Sequence, residues 1–363
     1  MSRNRYSSNQ FKFVLYNYFS NKFCGTMGEI LHGNEAIARG ALKANMKFFA
    51  GYPITPASEI MNFFAKQTDI QFIQTEDEIS AINMAIGASL GGMKSMTATS
   101  GPGFSLMQEG LGLAHKLRIP LVVIDVQRVG PSTGMPTMPS QGDIMQSRYG
   151  SHGDYFPIVF YPNSVEECFK YTIEAFNASE ESRTPVILLS DALLSRLYEV
   201  VDIEKMQFRL KPRRFKPLGD NKRHFTGLLS DEGIPKTRDT KLYRKWIREM
   251  KTEIETVANR YNFYEYLENK DSDTLIISFG IASRVISSLK EKYSLFRPIR
   301  IFPILENEIK KAAEKHDKVV VLEMNYGQYK NEIERILKRD VYSINPVGGR
   351  IELREIREEL NGI

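Results

Sequence analysis

The sequence predicts an α/β protein with parallel sheets and two domains. Short apolar runs that are typical of buried strands alternate with helical patterns before and after a basic stretch, and this alternation predicts βα units. The length of 363 residues fits about two domains. A composition of 42% hydrophobic and 26% charged residues is ordinary for a globular protein, so the chain can bury a sizeable core.

The alternation divides the chain into four segments. We expect, in order, an N-terminal extension, a first α/β domain, a basic linker with a helix, and a smaller second α/β domain: residues 1–26, 27–200, 201–270 and 271–363. The extension has basic but no acidic side chains, which resembles a transit peptide. Because Met27 follows it directly, an upstream start codon or a disordered tail is the simpler interpretation.

The chain lacks the marks of a membrane or secreted protein. No stretch approaches the ~18 consecutive apolar residues of a membrane span, so we expect a soluble protein without membrane contact. Two cysteines, Cys24 and Cys168, argue against a disulfide-stapled fold and cannot by themselves ligate an iron–sulfur cluster. We therefore expect a cytoplasmic protein.

The net charge of +5 is concentrated in one segment of the chain. Between Glu204 and Asn262, sixteen basic residues stand against eight acidic ones. Such an excess is typical of a solvated linker followed by an amphipathic helix that packs on a neighbour, and nucleic-acid binding is the alternative. Because no recognition motif accompanies the charge, we expect a linker and no nucleic-acid partner.

The first functional signal is the stretch YPITPASEI at residues 52–60. Pro53 and Pro56 each fix φ and restrict the residue before them, so the hydroxyl of Thr55 is presented by a rigid turn. A helix is then expected to begin near Ser58. The stretch predicts a strand, a turn and a helix N-terminus, which is where open α/β sheets bind ligands.

The second signal is Glu78, within the sequence QTEDEISAINMAIGASLGG. This carboxylate stands at the start of a predicted helix of small and apolar residues. Burial there disfavours the ionised form and allows the group to hold or share a proton. We interpret Glu76 and Asp77 as ordinary acids at the helix N-terminus. Gly87 lies further along the same helix, and we expect it to allow close packing.

A glycine-rich turn and a stretch that contains an arginine are the third and fourth signals. Thr99 leads into a glycine-rich strand-to-helix turn, SGPG, at residues 100–103. This turn alone is weak evidence, because such corners are common connectors. The stretch VQRVGPSTGMPT follows at residues 126–137.

In this order and spacing, the motifs resemble those of the alpha subunit of the 2-oxoacid:ferredoxin oxidoreductases, most closely the 2-oxoglutarate type. The resemblance covers about residue 27 to the C-terminus. It implies a thiamin-diphosphate-type pyrimidine-binding domain with a parallel sheet, plus a smaller transketolase C-terminal-like α/β domain. It also implies oxidative decarboxylation of a small 2-oxoacid to an acyl-CoA, with electrons passed to ferredoxin.

The resemblance also assigns roles to individual residues. Glu78 hydrogen-bonds the aminopyrimidine ring of the cofactor and drives its tautomerisation, and Thr55 lies at the active centre. The substrate is contacted by Arg128, Thr137 and Thr55. Further cofactor contacts fall on Ser100, Gly101 and Pro102. A guanidinium suits the carboxylate of a 2-oxoacid because it binds that group bidentately.

The stretch at 126–137 leaves two alternatives open. Arg128 stands at a strand end, where an ordinary ion pair also explains an arginine. Ser132, Thr133 and Gly134 are alternatively placed to bind phosphate through backbone amides.

The chain has no G-D-G motif, through which thiamin diphosphate enzymes bind the diphosphate and Mg²⁺. The resemblance therefore places Mg²⁺ and a 4Fe-4S cluster on a beta subunit, which shares the thiamin diphosphate, and predicts no metal site in this chain. It implies coenzyme A as co-substrate and is compatible with separate gamma and delta subunits. The alternatives are a subunit of a non-redox thiamin-dependent decarboxylase and a non-catalytic assembly subunit.

Overall fold

A computed structural model describes residues 28–219 and 224–363. The expectations for the N-terminal extension and for Cys24 lie outside the described residues. Within them, the α/β class is confirmed: two mainly parallel sheets are covered by helices.

Sixteen strands lie in the described residues. In chain order they are β1 Glu29–His32, β2 Phe48–Gly51, β3 Gln71–Gln74, β4 Ser95–Thr99, β5 Leu121–Gln127, β6 Ile158–Phe160, β7 Pro185–Asp191, β8 Tyr198–Val201, β9 Ser230–Asp231, β10 Ile234–Pro235, β11 Tyr264–Leu267, β12 Thr274–Ser278, β13 Ser294–Pro298, β14 Arg300–Phe302, β15 Lys318–Leu322 and β16 Tyr342–Ile344.

Twelve α-helices accompany these strands in the same part of the chain. They are α1 Gly33–Lys43, α2 Ser58–Phe64, α3 Glu78–Leu90, α4 Gly101–Leu106, α5 Gln108–Leu117, α6 Ile144–Tyr149, α7 Val165–Ser182, α8 Thr240–Ala258, α9 Gly280–Val285, α10 Glu306–Ala313, α11 Gln328–Leu337 and α12 Leu353–Gly362. Of the helices in the two described ranges, none combines the length and the apolar character needed to cross a lipid bilayer.

The larger sheet has seven strands in the order β14-β6-β7-β5-β4-β2-β3. All neighbouring strands are parallel except β14, which runs antiparallel to β6. The central strand β5 is buried along its whole length, as expected of a parallel strand covered on both faces. Apolar side chains of α1, α2, α7 and α8 cover one face, and those of α3, α4 and α5 cover the other.

The smaller sheet has five strands in the order β11-β13-β12-β15-β16, and only β11 is antiparallel to its neighbour. Helices α10 and α11 lie on the face that shares a core with the larger sheet, and α9 and α12 pack on the opposite face. The edge strand β11 falls in the segment from which the sequence predicts only a linker and a helix. Its side chains are mostly exposed, so it lacks the apolar run that marks a buried strand.

Strand β14 joins the larger sheet, although the sequence pattern places it in the second domain. Arg300 pairs with Phe160 of β6, so a strand from the C-terminal region forms the edge of the N-terminal sheet. The ring of Phe302 lies 6.3 Å from that of Tyr329 in α11, within the core that the two sheets share. Periodicity identifies a strand but not the sheet that it joins, because the partner is distant in sequence.

The basic segment behaves as a linker followed by a packed helix. Arg213 lies 2.7 Å from the Glu180 carboxylate of α7 and donates to the carbonyl of Ser89 at 2.6 Å. Met250 and Ile254 of α8 are buried in the core of the larger domain. The excess charge is therefore partly paired within the chain, while the absence of a nucleic-acid partner stays a prediction.

Candidate active site at the carboxyl edge of the larger sheet

The predicted site residues meet at the carboxyl edge of the larger sheet. Thr55 follows β2, Ser100 follows β4 and Arg128 follows β5, and these strands are neighbours. Glu78 begins α3, which follows the adjacent strand β3. Because the carboxyl ends of parallel strands share one edge, residues far apart in sequence are brought together there.

A hydrogen bond joins Arg128 to the YPITP turn. Its Nη1 donates to the Thr55 carbonyl oxygen at 2.5 Å. The Arg128 side chain is buried, with 8% exposed, and its Nε is fully buried without a hydrogen-bond partner. The strand-end ion pair that would explain this arginine finds no carboxylate partner among the described residues. The Thr55 side chain is exposed, and α2 begins at Ser58 as expected.

Glu78 is buried at the first position of α3, with 5% of the residue exposed. Burial raises the pKa of this carboxyl, while the Arg128 charge and a hydrogen bond from Thr99 act in the opposite direction. Asp77 caps the helix by accepting from the amide of Ser80 at 2.7 Å, and Glu76 is exposed. The sequence interpretation of these three acids therefore agrees with their positions.

The SGPG turn brings the helix α4 against Glu78. A Cβ atom added to Gly103 would lie 2.2 Å from the Glu78 Oε1 and 2.1 Å from the Thr99 Oγ1, so only glycine fits there. Ser100 is fully buried and its hydroxyl has no partner. Gly101 and Pro102 begin the helix next to it.

The substrate-binding stretch folds back on itself after β5. The amide of Val129 donates to the Met138 carbonyl at 3.0 Å, which returns Thr137 to the vicinity of Arg128. Thr137 is exposed, and its carbonyl accepts a hydrogen bond from Arg196 at 2.8 Å. Exposed residues of the loop tip include Ser132, Thr133 and Gly134, the alternative phosphate-binding stretch.

Two acidic residues beside the SGPG turn escaped the sequence analysis. Asp125 is fully buried in β5, and Asp143 immediately precedes α6. A signal for Asp125 was available, because it is a lone acid within the apolar strand LVVIDVQ. Nothing in the sequence marks Asp143, whose environment arises from distant parts of the chain.

Gly87 makes no close packing contact within the described residues. A Cβ atom added there would meet no atom within 4 Å, and the residue is exposed. The same helix and α4 expose large apolar side chains, since Ile79 is 49% exposed, Met84 41% and Leu106 47%, and the exposed Asn83 lies between Ile79 and Gly87 along α3. We call the surface formed by Ile79, Met84, Gly87 and Leu106 the α3–α4 face.

The site suits an organic ring better than a metal ion. In the two described ranges, no group of three or more His, Cys, Asp or Glu could hold a metal. The protonatable carboxyl of Glu78 lies beside the Thr99 hydroxyl, and the buried Ser100 hydroxyl of the next residue has no hydrogen-bond partner. Such groups satisfy a heteroaromatic ring that both donates and accepts hydrogen bonds. The residues present therefore fit the aminopyrimidine end of thiamin diphosphate.

Comparison with known families gives two matches that together span most of the chain. Residues 39–268 match "Pyruvate flavodoxin/ferredoxin oxidoreductase, thiamine diP-bdg". Residues 272–356 match "Pyruvate:ferredoxin oxidoreductase core domain II".

Similar proteins are known from sequence and from structure. The chain is 40% identical to the 2-oxoglutarate synthase subunit KorA of Methanocaldococcus jannaschii, over 90% of this chain and 97% of that protein. A similar solved structure is the 2-oxoglutarate:ferredoxin oxidoreductase from Magnetococcus marinus with 2-oxoglutarate, coenzyme A and succinyl-CoA bound. The chain superposes on it with a TM-score of 0.85 and 29% identity, and the match covers 92% of this chain and 65% of that one. A split gene transketolase shares the fold, with a TM-score of 0.55, 12% identity and coverage of 91% of this chain and 93% of that one.

Proposed function

The chain belongs to the pyruvate flavodoxin/ferredoxin oxidoreductase family, and we propose on that basis that it is the alpha subunit of a 2-oxoglutarate:ferredoxin oxidoreductase. The reaction is the oxidative decarboxylation of the 2-oxoacid to an acyl-CoA, with electrons passed to ferredoxin. Thiamin diphosphate, when bound, supplies the electron sink for the decarboxylation. The observation that carries the proposal is the buried Glu78 carboxyl beside the hydrogen-bonded Arg128 and Thr55.

Glu78 is the proton-holding group of this site. Because burial raises the pKa of its carboxyl, Oε1 or Oε2 can carry a proton and exchange it with a ring nitrogen of the cofactor. Ser100, Gly101 and Pro102 of the SGPG turn would contact the same end of the cofactor. Gly103 keeps the helix close enough for this arrangement, since any side chain there would displace the carboxyl.

Arg128 binds the carboxylate of the 2-oxoacid. One of its amino groups is held by the Thr55 carbonyl, which orients the guanidinium. The exposed hydroxyls of Thr55 and Thr137 supply further donors for the substrate's oxygens. A guanidinium fixed in this way binds a carboxylate at a low entropic cost.

The other half of the site belongs to a beta subunit. That subunit provides the diphosphate and Mg²⁺ site and the 4Fe-4S cluster, since neither the motif nor a metal cluster is present in the described part of this chain. The α3–α4 face is the surface on which we place it. Its large apolar side chains are exposed on the helices that begin at Glu78 and Gly101, and burying them on association is favourable. Gamma and delta subunits complete the proposed assembly.

Assay of the purified complex tests this function. The complex is incubated with coenzyme A, thiamin diphosphate, Mg²⁺ and a panel of 2-oxoacids, and reduction of ferredoxin is followed. We expect the highest kcat/KM with 2-oxoglutarate. Decarboxylation without ferredoxin reduction would indicate the non-redox decarboxylase, and a complex that binds but converts none of the acids would indicate an assembly subunit.

A further inference from the structure

The chain that leaves the substrate-binding stretch runs into the carboxyl edge of the smaller sheet. We call residues 129–138 the substrate loop and residues 139–145 the clamped segment. The strands β12, β15 and β16 are parallel neighbours, so their carboxyl ends lie side by side. In open α/β sheets this edge is where ligands bind, whereas here the clamped segment is bound to it.

Gln141 makes the central contacts of the clamped segment and is fully buried. Its Nε2 donates to the Phe279 carbonyl after β12 at 2.8 Å, and its Oε1 accepts from the Met324 amide after β15 at 2.9 Å. Its own amide donates to the Met324 carbonyl at 3.2 Å, and its carbonyl accepts from the Asn325 side chain at 2.7 Å. Both the side chain and the backbone of Gln141 are therefore bonded to the second domain.

The clamped segment is also tied to the strand end that carries Arg128. The amide of Asp143 donates to the side chain of Gln127, the last residue of β5, at 3.1 Å. From the second domain, the side chain of Gln328 donates to the Gly142 carbonyl at 2.6 Å. The clamped segment thus connects the second domain to the residue directly before Arg128.

A close approach at Gly349 joins the second domain to the substrate loop itself. The base of this loop is closed by the Val129 amide, which donates to the Met138 carbonyl at 3.0 Å. A Cβ atom added to Gly349 would lie 2.5 Å from the Met138 Cβ. Gly349 is buried, so the second domain bears directly on the residue that follows Thr137.

The two contact regions of the second domain form one connected surface. Asn345 follows β16, and its side chain donates to the Asn325 carbonyl at 2.6 Å. The same side chain accepts from the Ser343 hydroxyl at 2.7 Å. The loop that carries Gly349 is therefore tied to the loop that binds Gln141.

The substrate loop has little support at its tip. The residues from Pro131 to Met135 are exposed, and the hydrogen bonds within the loop lie close to its base. A segment with few buried contacts takes its position from the points at which it is anchored. The contacts at the base therefore decide where the Thr137 side chain lies.

We propose that Gln141 and Gly349 are positioning residues that hold the base of the substrate loop, so that Thr137 is presented to the substrate beside Arg128. This inference rests on the roles assigned to Thr137 and Arg128 in the proposed function. The second domain thereby determines the affinity for the 2-oxoacid without supplying a group that binds it. None of the hydrogen bonds that hold the loop involves Glu78, so loss of the clamp should alter substrate binding more than cofactor binding.

Two neighbouring glycines provide a matched pair of variants. Gly348 and Gly349 both have a φ of 84°, so replacement by alanine strains the backbone equally, but a Cβ atom on Gly348 would meet no atom within 4 Å. In the assembled complex, Gly349→Ala should raise KM for 2-oxoglutarate by about tenfold, which is within the usual range for coupled sites. Its kcat and its affinity for thiamin diphosphate should stay close to wild type, because the lost interaction serves substrate binding. Gly348→Ala should keep the wild-type KM.

Gln141→Met tests the clamp from its other side. Methionine keeps the length of the side chain but leaves the Phe279 carbonyl and the Met324 amide without their partner, so KM should rise as in Gly349→Ala. The control is Arg297→Met, which removes an ion pair of 2.7 Å with Glu167 between the same two domains, away from the substrate loop. It should lower the thermal stability and leave KM unchanged. The proposal is overturned by equal KM values in Gly348→Ala and Gly349→Ala, or by an equal rise of KM in Arg297→Met and Gln141→Met.

Hydrogen exchange gives a readout that does not depend on turnover. The Val129 amide closes the base of the substrate loop, so its exchange with deuterium in the complex should be faster in Gly349→Ala and Gln141→Met than in wild type. Gly348→Ala should exchange this amide at the wild-type rate. Wild-type exchange in Gly349→Ala would refute the clamp. If the wild-type complex converts no 2-oxoacid, the proposed function fails, while the exchange of this amide still decides whether the second domain holds the loop.

Discussion

The substitution Gly103→Ala tests how closely the SGPG turn is fitted to Glu78. The new Cβ would lie 2.1 Å from the Thr99 Oγ1 and 2.2 Å from the Glu78 Oε1, whereas an ordinary contact is about 3.4–4 Å. One of the two side chains, or the helix itself, must therefore move by about 1 Å or more. Overpacking of this kind typically costs about 1–3 kcal/mol of stability, so the chain should still fold.

The effect on activity should be larger than the effect on stability. A displacement of about 1 Å in a catalytic group can reduce the rate about 10²-fold, so we expect kcat/KM of the Gly103→Ala complex to fall by about that factor or more. The affinity for thiamin diphosphate, measured by calorimetric titration, should fall as well. Both effects have the same cause, because the carboxyl of Glu78 leaves the position that the cofactor ring requires.

Gly110→Ala provides the matched control. Its Cβ would lie 2.7 Å from the Ile82 Cγ2, so it also overpacks a contact with α3, but against an apolar side chain and not against the carboxyl of Glu78. We expect a comparable loss of thermal stability with kcat/KM close to wild type. If Gly103→Ala shows wild-type kinetics, or if both variants lose activity equally, then Glu78 is not held in place by this turn.

The remaining predictions concern the substrate, the cofactor and the partner subunit. Arg128→Ala should remove roughly 2–5 kcal/mol of substrate interaction, which is measured as a fall in kcat/KM with unchanged cofactor affinity. Arg128→Lys should recover little of this loss, because the planar guanidinium is missing. Loss of cofactor affinity in both variants would show that Arg128 is structural. The Glu78→Gln complex should still bind the cofactor, but exchange of the cofactor's C2 proton for deuterium should slow by about 10²- to 10⁴-fold. The Glu76→Gln complex should exchange this proton at the wild-type rate. A wild-type rate in Glu78→Gln would contradict the role assigned to Glu78. Gly87→Arg should leave the thermal unfolding of the chain unchanged, because nothing lies within 4 Å of its Cβ, yet prevent co-elution with the beta subunit in size-exclusion chromatography. Normal assembly of Gly87→Arg would move the partner away from the α3–α4 face.

Features of the larger domain that depend on neighbouring residues could be predicted from the sequence. The two prolines around Thr55 and the helix that begins at Ser58 depend on neighbouring residues, so their conformation is readable from the sequence. The burial of Glu78 follows from the apolar helix that it begins. The roles of Thr55, Arg128, Thr137 and the SGPG turn in binding stay predictions.

Features that depend on distant contacts could not be predicted. Gly87 was expected to pack closely because glycine often does so, but the sequence does not say which side of α3 faces the sheet or a partner. Asp143 lies in a segment that Gln328 of the second domain holds, through the Gly142 carbonyl and the Met145 amide, and this partner is far away in sequence. The strand β11 is an exposed edge without an apolar run, so its periodicity carries little information.

The edge strand β14 determines when the larger sheet can be completed during synthesis. Its partner β6 is made about 140 residues before 300–302, so β6 remains without this partner while that stretch is synthesised. An apolar strand with free N–H and C=O groups is a template for pairing with other chains. A nascent chain, or a fragment that ends before the second domain, therefore carries an aggregation-prone edge. Production of the first domain alone should require either the β14 segment supplied as a peptide or a substitution that blocks the edge of β6.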